Sequence, residues 1–333
     1  MRAFVAGCLG PALTPDERAF FREADPFGFI LFRRNIEHPE QVFALTASLR
    51  ETVGRADAPI LIDQEGGRVQ RLGPPHWPRY PAGRAYGRLP VSRRETARLG
   101  ARLMAHDLRE IGITVDCLPV LDVPVPGAHD VIGDRAYGED PGTVTALGGA
   151  AAAGLMAGAV LPVAKHIPGH GRAGADSHLA LPRVDAPLEE LRARDFAPFK
   201  CLSHLPAAMT AHVVYEAIDP ERPGTVSRRV VQDIIRGEIG FEGLLFTDDL
   251  SMKALAGSFR TRAEEAIAAG CDIALHCCGD LAEARGVAEG VPLLSGASLE
   301  RAEAALAIIA RDPEDFDPVD ALDAFEMALA LTA

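Results

Sequence analysis

The feature that most constrains this chain is a regular alternation of short apolar segments with longer segments of helical periodicity. Between the apolar segments, apolar residues recur at the spacing of an amphipathic helix. The apolar segments are hydrophobic along their whole length, which indicates a parallel sheet covered on both faces. The predicted strands are residues 3–9, 28–32, 59–63, 114–119, 160–166, 207–212, 244–248 and 272–276.

Eight strand–helix alternations predict an α/β fold of the closed (β/α)₈ type, the TIM barrel. An open doubly wound sheet is the alternative, but the first unit lacks the glycine-rich loop of dinucleotide-binding domains. Gly112, Gly240 and Gly270 each stand between a helical segment and the next strand, where a left-handed cap is common. The predicted helices include residues 39–53, 93–111, 187–203, 228–239 and 260–269.

We expect one catalytic domain over residues 1–333, because no repeat, linker or charge block marks a second domain. An acidic tail from about residue 312 is predicted to end in a helix over residues 318–331 that covers the outside of the barrel. Asp317 is suited to cap this helix, with Pro318 at its first position. The segment 146–162, rich in Ala and Gly, is too short to span a bilayer and is interpreted as a helix packed on the sheet that runs into a strand.

The charge and cysteine content limit the partners and the compartment. The chain has 34 basic and 47 acidic residues, a net charge of −13. This charge repels phosphate backbones and anionic lipid, which argues against a nucleic acid or membrane partner. The six cysteines follow neither a disulfide nor a zinc spacing, and too few residues precede Cys8 for a signal peptide. We therefore expect a cytoplasmic protein, and we expect a monomer.

Polar side chains stand at the carboxyl ends of many predicted strands. These ends converge on one mouth of a barrel, which is where barrel enzymes place their active sites. Because buried charges are costly unless they are paired, structure alone explains such a concentration poorly. The side chains are Asp63, Asp122, Lys165-His166, His212, Asp248-Asp249 and His276.

The segment from Asp63 to Arg71, with the sequence DQEGGRVQR, directly follows an apolar strand. A carboxylate is suited to accept hydrogen bonds from sugar hydroxyls, and Gly66 and Gly67 would let the backbone approach a ligand closely. The alternative is structural, because adjacent acidic and basic groups can neutralise each other in a loop. This segment alone does not decide between the two.

The densest polar cluster is KHIPGHG at residues 165–171, followed by Asp176 and His178. One interpretation is a zinc site that uses His166, His170 and His178. Against it, the intervening Pro-Gly pair prevents the first two from lying one turn apart on a helix. The other interpretation is a general acid/base, because Asp176 can hold the tautomer of His178 and raise its basicity. The glycines suggest a mobile loop that closes over a ligand.

The sequence TDDLSM, from Thr247 to Met252, ends another apolar strand. Asp248 is nearest the strand and is expected to point into the barrel mouth. An ionised carboxylate there can attack an anomeric carbon or stabilise an oxocarbenium ion. Helix capping by Asp249 or Ser251 is the competing interpretation of this segment.

Together these motifs resemble those of the single-domain β-N-acetylglucosaminidases of glycoside hydrolase family 3, the bacterial cytoplasmic enzymes of peptidoglycan recycling. The resemblance implies a (β/α)₈ barrel, a retaining mechanism and no metal or organic cofactor. Ile167 replaces the usual Phe at an apolar position that should not affect the chemistry, and the tail beyond about residue 313 matches nothing in the pattern. The matching segments are residues 28–32, 63–71, 119–123, 165–178, 211–213 and 247–252.

The resemblance also implies roles for individual residues. Asp248 matches the nucleophile, His178 the general acid/base and Asp176 the residue that orients it. The implied reaction removes terminal non-reducing β-linked N-acetylglucosamine from muropeptides through a covalent glycosyl-Asp248 intermediate. The sugar-binding groups that it implies are Asp63, Arg71, Arg135, Lys165 and His166.

Three alternatives stay open at this point. A phosphorylase of the same family would use phosphate in place of water. An acid/base that is neutral, unlike a carboxylate, would allow anionic phosphate to approach, so the sequence does not exclude this activity. A β-glucosidase is disfavoured, since the KHxPGHG…DSH pattern marks the N-acetylglucosaminidase branch. A non-catalytic muropeptide sensor would keep the binding residues but has no need for Asp248 or for the pair of Asp176 and His178.

Overall fold

The computed structural model describes residues 1–174 and 181–330 of the chain. Its centre is a nearly closed barrel of parallel strands, in which β1 pairs with β2 on one side and with β13 on the other. The predicted α/β barrel is therefore confirmed. The strands are β1 (Arg2–Gly7), β2 (Pro26–Leu31), β3 (Ile60–Ile62), β4 (Gln64–Gly66), β5 (Val69–Gln70), β6 (Val115–Asp116), β7 (Leu161–Pro162), β8 (Ala164–Ile167), β9 (Arg183–Val184), β10 (Ala207–Thr210), β11 (Val214–Tyr215), β12 (Leu244–Asp249) and β13 (Ile273–His276).

The fifth strand position of the barrel is divided between β7 and β8. β7 pairs with β6, whereas β8 pairs with β10. Val163 lies between them and donates its N–H to the Asp116 carbonyl oxygen at 2.9 Å. Strands in a barrel are tilted and staggered, so the two ends of one strand meet different neighbours. The prediction of one continuous strand over residues 160–166 is therefore wrong, although both halves begin within that range.

Two short sheets lie outside the barrel. β4 and β5 form an antiparallel hairpin directly after β3, and β9 pairs in parallel with β11. The hairpin contains most of the segment from Asp63 to Arg71, so it sits at the carboxyl end of a barrel strand.

Helices follow the strands in the order expected of this fold. The helix predicted over residues 39–53 has these bounds in the structure, and the one predicted over 93–111 ends one residue earlier. The helical segments predicted over 187–203 and 228–239 contain π-helical turns at Leu191–Asp195 and Arg229–Glu238. The α-helices are α1 (Pro15–Ala24), α2 (Pro39–Val53), α3 (Gly83–Arg88), α4 (Arg93–Glu110), α5 (Pro141–Ala157), α6 (Leu188–Glu190), α7 (Phe196–Cys201), α8 (Phe259–Ala269), α9 (Leu281–Gly290), α10 (Gly296–Ile309) and α11 (Pro318–Ala330).

Three predicted helix ends have the expected backbone. Gly112, Gly240 and Gly270 have φ values of +76°, +74° and +117°. Side chains other than glycine rarely adopt this left-handed region, so the three glycines allow the chain to leave each helix and enter the next strand.

The segment predicted as a tightly packed helix forms α5 and then runs into β7. A Cβ atom added at Gly154 would lie 2.2 Å from the Arg98 carbonyl oxygen of α4. Small residues therefore let α5 approach α4 closely, and this explains the Ala and Gly content. Within residues 1–174 and 181–330, no helix is long and apolar enough to cross a membrane.

The acidic tail folds onto the outside of the barrel, as predicted. The Asp317 carboxylate accepts hydrogen bonds from the N–H groups of Val319 and Asp320, so it caps α11. Phe325 is buried, with its ring centroid 6.2 Å from those of Tyr80 and Tyr86. The final residue of the predicted helix, Leu331, lies outside the described residues.

Candidate active site

A pocket opens at the carboxyl ends of the barrel strands. Its empty volume is about 720 Å³, including the mouth, which lies in the range of small-molecule sites. All five predicted sugar-binding residues and the predicted nucleophile line it: Asp63, Arg71, Arg135, Lys165, His166 and Asp248. The other two predicted catalytic residues, Asp176 and His178, lie outside the described residues.

A buried lysine joins two carboxylates at one wall of the pocket. Lys165 comes from β8 and has only 2% of its side chain exposed. Its Nζ lies 2.9 Å from Asp63 Oδ1 and 2.6 Å from Glu65 Oε1. Arg71 donates to the other oxygen of Asp63 at 2.8 Å, and Arg135 binds Glu65 with two hydrogen bonds of 2.8 Å. Three cations and two carboxylates thus form one paired network.

The network fixes the charge of its members. Burial alone would raise the pKa of both carboxyl groups, but the adjacent cations outweigh it. The pKa of Asp63 is held well below its usual range by Lys165 and Arg71, and that of Glu65 is lowered to about 2 by Arg135 and Lys165. Burial would lower the pKa of Lys165, but the same two carboxylates raise it above its ordinary value. All of these groups are therefore ionised at neutral pH.

The glycines after Asp63 serve packing between protein segments. Gly66 has φ +87°, and a Cβ there would lie 2.2 Å from the Pro81 carbonyl oxygen. Gly67 has φ +58°, and a Cβ there would lie 2.6 Å from Ala82 Cβ. The expectation that these glycines let the backbone approach a ligand is thus wrong, because protein atoms occupy that space. They allow the hairpin to pack closely against residues 80–82.

Asp122 holds two histidines of the KHIPGHG segment. Its Oδ2 lies 2.7 Å from His166 Nδ1, and its Oδ1 accepts the backbone N–H groups of His166 and His170. Burial would raise the pKa of Asp122, but its histidine neighbours lower it to about 2. Asp122 therefore orients the His166 ring toward the pocket as a charged acceptor.

The rings of His166 and His170 meet although no helix carries them. Their centroids lie 5.5 Å apart, because the chain turns tightly at Gly169, where a Cβ would lie 2.9 Å from Asp195 Cβ. The Pro-Gly pair thus excludes a shared helix, as expected, and the turn at Gly169 brings the two rings together. Burial, followed by the charge of His166, lowers the pKa of His170 to about 4. His170 is therefore neutral near pH 7.

The two aspartates at the end of β12 have different surroundings. Asp249 accepts hydrogen bonds from the backbone N–H groups of Ser251 and Cys277 and from the Ser251 hydroxyl, so it holds the turn. Asp248 accepts one hydrogen bond within residues 1–174 and 181–330, from the Asp249 N–H to Oδ1 at 2.8 Å. Asp249 holds a turn and does not cap a helix, because the next helix, α8, begins at Phe259 with Ser258 as its N-cap. Among the described contacts, Asp248 keeps an oxygen for the pocket.

A chain of polar groups supports Asp248 from behind. The Asp248 N–H lies 3.4 Å from Thr210 Oγ1, which is 2.7 Å from Thr225 Oγ1, and that oxygen is 2.7 Å from His212 Nδ1. His212 Nε2 lies 3.0 Å from the Asp249 carbonyl oxygen, which only accepts, so Nε2 carries the proton. Burial lowers the pKa of His212, which favours the neutral ring with Nδ1 as acceptor.

Asp248 is ionised in this environment. Burial would raise its pKa, but His212 and His166, together with the Asp249 N–H, bring the pKa below the ordinary carboxyl value. The pocket thus presents a charged carboxylate with an oxygen left for a ligand, opposite a fixed set of hydrogen-bond donors. This arrangement can bind a polar, hydroxyl-rich molecule and attack an electrophilic carbon.

The sequence matches a known protein family over most of its length. The family described as "Glycosyl hydrolase family 3 N terminal domain" matches residues 16–308. The chain belongs to glycosyl hydrolase family 3. The prediction of a glycoside hydrolase of this family is therefore confirmed.

Relatives in this family include enzymes and solved structures. A β-hexosaminidase from Pseudomonas aeruginosa is 43% identical over 271 residues, 80% of each chain. The structure of NagZ from Neisseria gonorrhoeae with N-trifluoroacetyl-D-glucosamine has a TM-score of 0.85 at 32% identity, covering 99% of this chain and 98% of that one. A family 3 β-N-acetylglucosaminidase from Paenibacillus sp. has a TM-score of 0.81 at 33% identity. This chain covers 62% of the length of that last structure.

The predicted strand-end residues of this family 3 chain do not all reach the pocket. Asp122 and His212 lie behind it, where they support His166 and the turn after Asp248. His276 points elsewhere, and its Nε2 lies 3.2 Å from Glu283 Oε2 on α9. The prediction that all of these strand ends share one site therefore fails for His276.

Several residues that shape the pocket had no predicted role. Glu65 binds Lys165 and Arg135, and its position two residues after Asp63 in the same motif was the available signal. Phe32 lies beneath Arg71, with 5.3 Å between the guanidinium carbon and the ring centroid. Thr225 comes from a segment that no motif marks, so its link to His212 was not accessible from the sequence.

Proposed function

We propose that this chain is a retaining exo-β-N-acetylglucosaminidase that releases terminal non-reducing β-linked N-acetylglucosamine through a covalent glycosyl-Asp248 intermediate. The family membership and the names of the relatives support a β-N-acetylhexosaminidase. The observation that carries the mechanism is the difference between the two aspartates of β12. Among the contacts of the described residues, ionised Asp248 keeps an oxygen for the pocket, whereas both oxygens of Asp249 accept hydrogen bonds within the turn.

The paired network on the opposite wall is suited to bind the sugar ring. The oxygens of Asp63 accept hydrogen bonds from hydroxyl groups, whereas Arg71, Arg135, Lys165 and the His166 ring can donate to hydroxyl or acetamido oxygens. The salt bridges hold these groups in place before a ligand arrives, so little ordering is required on binding. Precise placement of the glycone sets the distance between Asp248 and the anomeric carbon.

We assign the proton transfers to His178, oriented by Asp176. In the first step Asp248 Oδ forms a bond to the anomeric carbon, the glycosidic bond breaks, and the imidazolium of His178 gives its proton to the leaving oxygen. In the second step neutral His178 removes a proton from water, the water oxygen bonds to the anomeric carbon, and Asp248 departs as a carboxylate. An imidazole suits both steps because its ordinary pKa lies near neutrality.

The cellular assignment extends this proposal. Muropeptides of the cell wall are the substrate class, and recycling in the cytoplasm is the process. The free thiols of all six cysteines support a reducing compartment. We further propose that residues 1–333 form one catalytic domain and act as a monomer, since α11 packs on the barrel as part of its outer layer.

A mechanism-based label tests the nucleophile. The wild-type enzyme is incubated with a 5-fluoro N-acetylglucosaminyl donor, which slows the second step, and the labelled peptide is identified by mass spectrometry. We expect one adduct, on Asp248. The matched variants are Asp248→Asn, which should take no label, and Asp249→Asn, which should still be labelled. Labelling of Asp63 or Asp249 in the wild type would overturn the assignment.

Two activity assays test the substrate and the acceptor. The p-nitrophenyl β-N-acetylglucosaminide should be cleaved far faster than the corresponding β-glucoside, because donors on the pocket wall are available for an acetamido group. The rate should be the same in phosphate and phosphate-free buffers, and the product should be the free sugar. A rate that depends on phosphate, with a sugar phosphate as product, would identify a phosphorylase instead.

A further inference from the structure

A second cluster of chemically active side chains lies outside the pocket, in the loop that leads from β13 to α9. His276 ends β13, Cys278 lies in the loop, and Glu283 is in the first turn of α9. Within the described parts of the chain, these three are a set of His, Cys and carboxylate ligand atoms that all lie within 4.8 Å of one another. None of the three belongs to the paired network around Lys165 or to the turn that follows Asp248.

The distances within this cluster match the dimensions of a metal site. Cys278 Sγ lies 2.9 Å from Glu283 Oε2 and 3.3 Å from His276 Nε2, and the last two atoms are 3.2 Å apart. Tetrahedral zinc with ordinary bond lengths to S, N and O places its ligand atoms about 3.3–3.6 Å apart. The two distances to His276 Nε2 lie within a few tenths of an ångström of these values, and the distance from Sγ to Oε2 must lengthen by about 0.6 Å for the cluster to open around an ion.

The protein holds these ligands in place independently of any ion. The His276 ring is buried and packs edge-on against Phe259, with centroids 5.5 Å apart. The Asp280 side chain caps α9 through the N–H groups of Ala282 and Glu283, which fixes the backbone beneath the carboxylate. The Cys278 side chain is partly exposed, so an ion from solvent can reach it. The cluster therefore has supported ligand positions and an entry path from solvent, two of the features that a metal site needs.

We propose that His276 Nε2, Cys278 Sγ and Glu283 Oε2 form a zinc-binding site with three protein ligands and a water molecule in the fourth position. Thiolate and imidazole ligands favour Zn²⁺ over the hard cations Mg²⁺ and Ca²⁺. One thiolate and one carboxylate also balance the charge of a divalent ion.

Binding at this site displaces one proton. The Cys278 thiol donates its proton to the Glu283 carboxylate, with Sγ 2.9 Å from Oε2. As the bond from sulfur to the metal forms, this proton leaves to solvent. His276 Nδ1 has no hydrogen-bond partner in the part of the chain that the structure describes. Since the outer partner of a ligating histidine contributes about 10- to 100-fold in affinity, we expect weaker binding than at four-ligand structural sites.

Cobalt substitution tests the proposal, because a thiolate bound to Co²⁺ gives a charge-transfer band in the near ultraviolet. The full-length enzyme, freed of metal, is titrated with Co²⁺ and then with Zn²⁺ as competitor. We expect the band to saturate at one equivalent of Co²⁺ and to disappear when Zn²⁺ displaces it. Absence of the band in the wild type would overturn the proposal.

Variants locate the site within the molecule. Cys278→Ser should abolish the band, whereas Glu283→Gln should keep it and weaken zinc affinity by at least about tenfold. Cys201→Ser is the matched control, because Cys201 is an exposed cysteine on α7, and this variant should match the wild type. Cys277→Ser tests whether the ion binds in the sugar pocket instead, since Cys277 lines that pocket. A band that survives Cys278→Ser, or that is lost only with Cys277→Ser, would place the ion elsewhere and refute the proposal.

Discussion

Replacing Glu65 with Gln tests whether the five charged groups at the pocket wall behave as one unit. The substitution keeps the size and shape of the side chain but removes its charge. Lys165, Arg71 and Arg135 then share a single carboxylate, that of Asp63. Lys165 is 2% exposed, so water cannot solvate its ammonium group in place of the lost carboxylate.

The expected cost follows from this burial. Removing one partner of a buried ion pair typically destabilises a protein by about 3–5 kcal/mol, because a buried charge is left uncompensated. For a chain of 333 residues, an unfolding entropy of about 2.1 cal/mol/K per residue converts this to a fall in Tm of about 4–7 °C. The difference should be largest near pH 7. It should narrow as the pH falls from the ordinary carboxyl value toward the depressed pKa of Glu65, about 2, since protonation then removes the wild-type charge.

Differential scanning calorimetry at several pH values measures this effect. The matched control is Glu216→Gln, which removes the same charge from an exposed pair with Arg183, whose side chains are 42% and 50% exposed. An exposed pair contributes at most about 1 kcal/mol, so this control should lower Tm by about 1.5 °C or less. Equal shifts in the two variants would show that the buried network is not an electrostatic unit, and the reasoning would fail.

Four further predictions concern other parts of the enzyme. His178→Ala should slow cleavage of natural sugar leaving groups by about 10²–10⁴-fold, while a dinitrophenyl donor should show a burst in stopped-flow traces; equal losses would contradict an acid/base role. The pKa of His170 is lowered from 6.5 to about 4, so the neutral ring contributes stability above pH 6.5 that is lost as the pH falls toward 4. The fall in Tm between pH 7 and pH 5 should therefore be smaller for His170→Asn than for the wild type. Thr225→Val should cost about 1–3 kcal/mol in urea unfolding, because His212 Nδ1 loses its donor, and unchanged stability would refute the polar chain. Hydrolysis should survive exhaustive EDTA treatment in the wild type and in Cys278→Ser, and activity that only zinc restores in Cys278→Ser would make the histidines of the pocket ligands.

The barrel was accessible from the sequence because its signals are local. Fully apolar strands, helical periodicity and the glycines at three helix ends are properties of short segments, and each of them predicts its element independently. The division of the fifth strand was not accessible, because the break at Val163 depends on which neighbour each half meets. That choice is made by the tilt of the whole barrel.

The site was predicted in part for the same reason. Strand ends converge in a barrel, so Asp63, Lys165 and Asp248 could be placed together without coordinates. The pairing of Glu65 with Arg135 joins residues 70 positions apart and depends on how the hairpin packs. Likewise, the approach of His170 to His166 depends on a turn that packs against Asp195, and no local pattern encodes that contact.

The burial of Phe325 against Tyr80 has a consequence for biosynthesis. The Tyr80 carbonyl oxygen accepts the N–H of Gly67 in the hairpin that carries Glu65, so α11 supports the wall of the pocket through one intermediate segment. The ribosome makes α11 after every other element of this assembly. A nascent chain that has completed the barrel but not α11 leaves Tyr80 uncovered, and its hairpin lacks its final support. We therefore expect glycosidase competence to arise only after α11 has docked on the folded barrel.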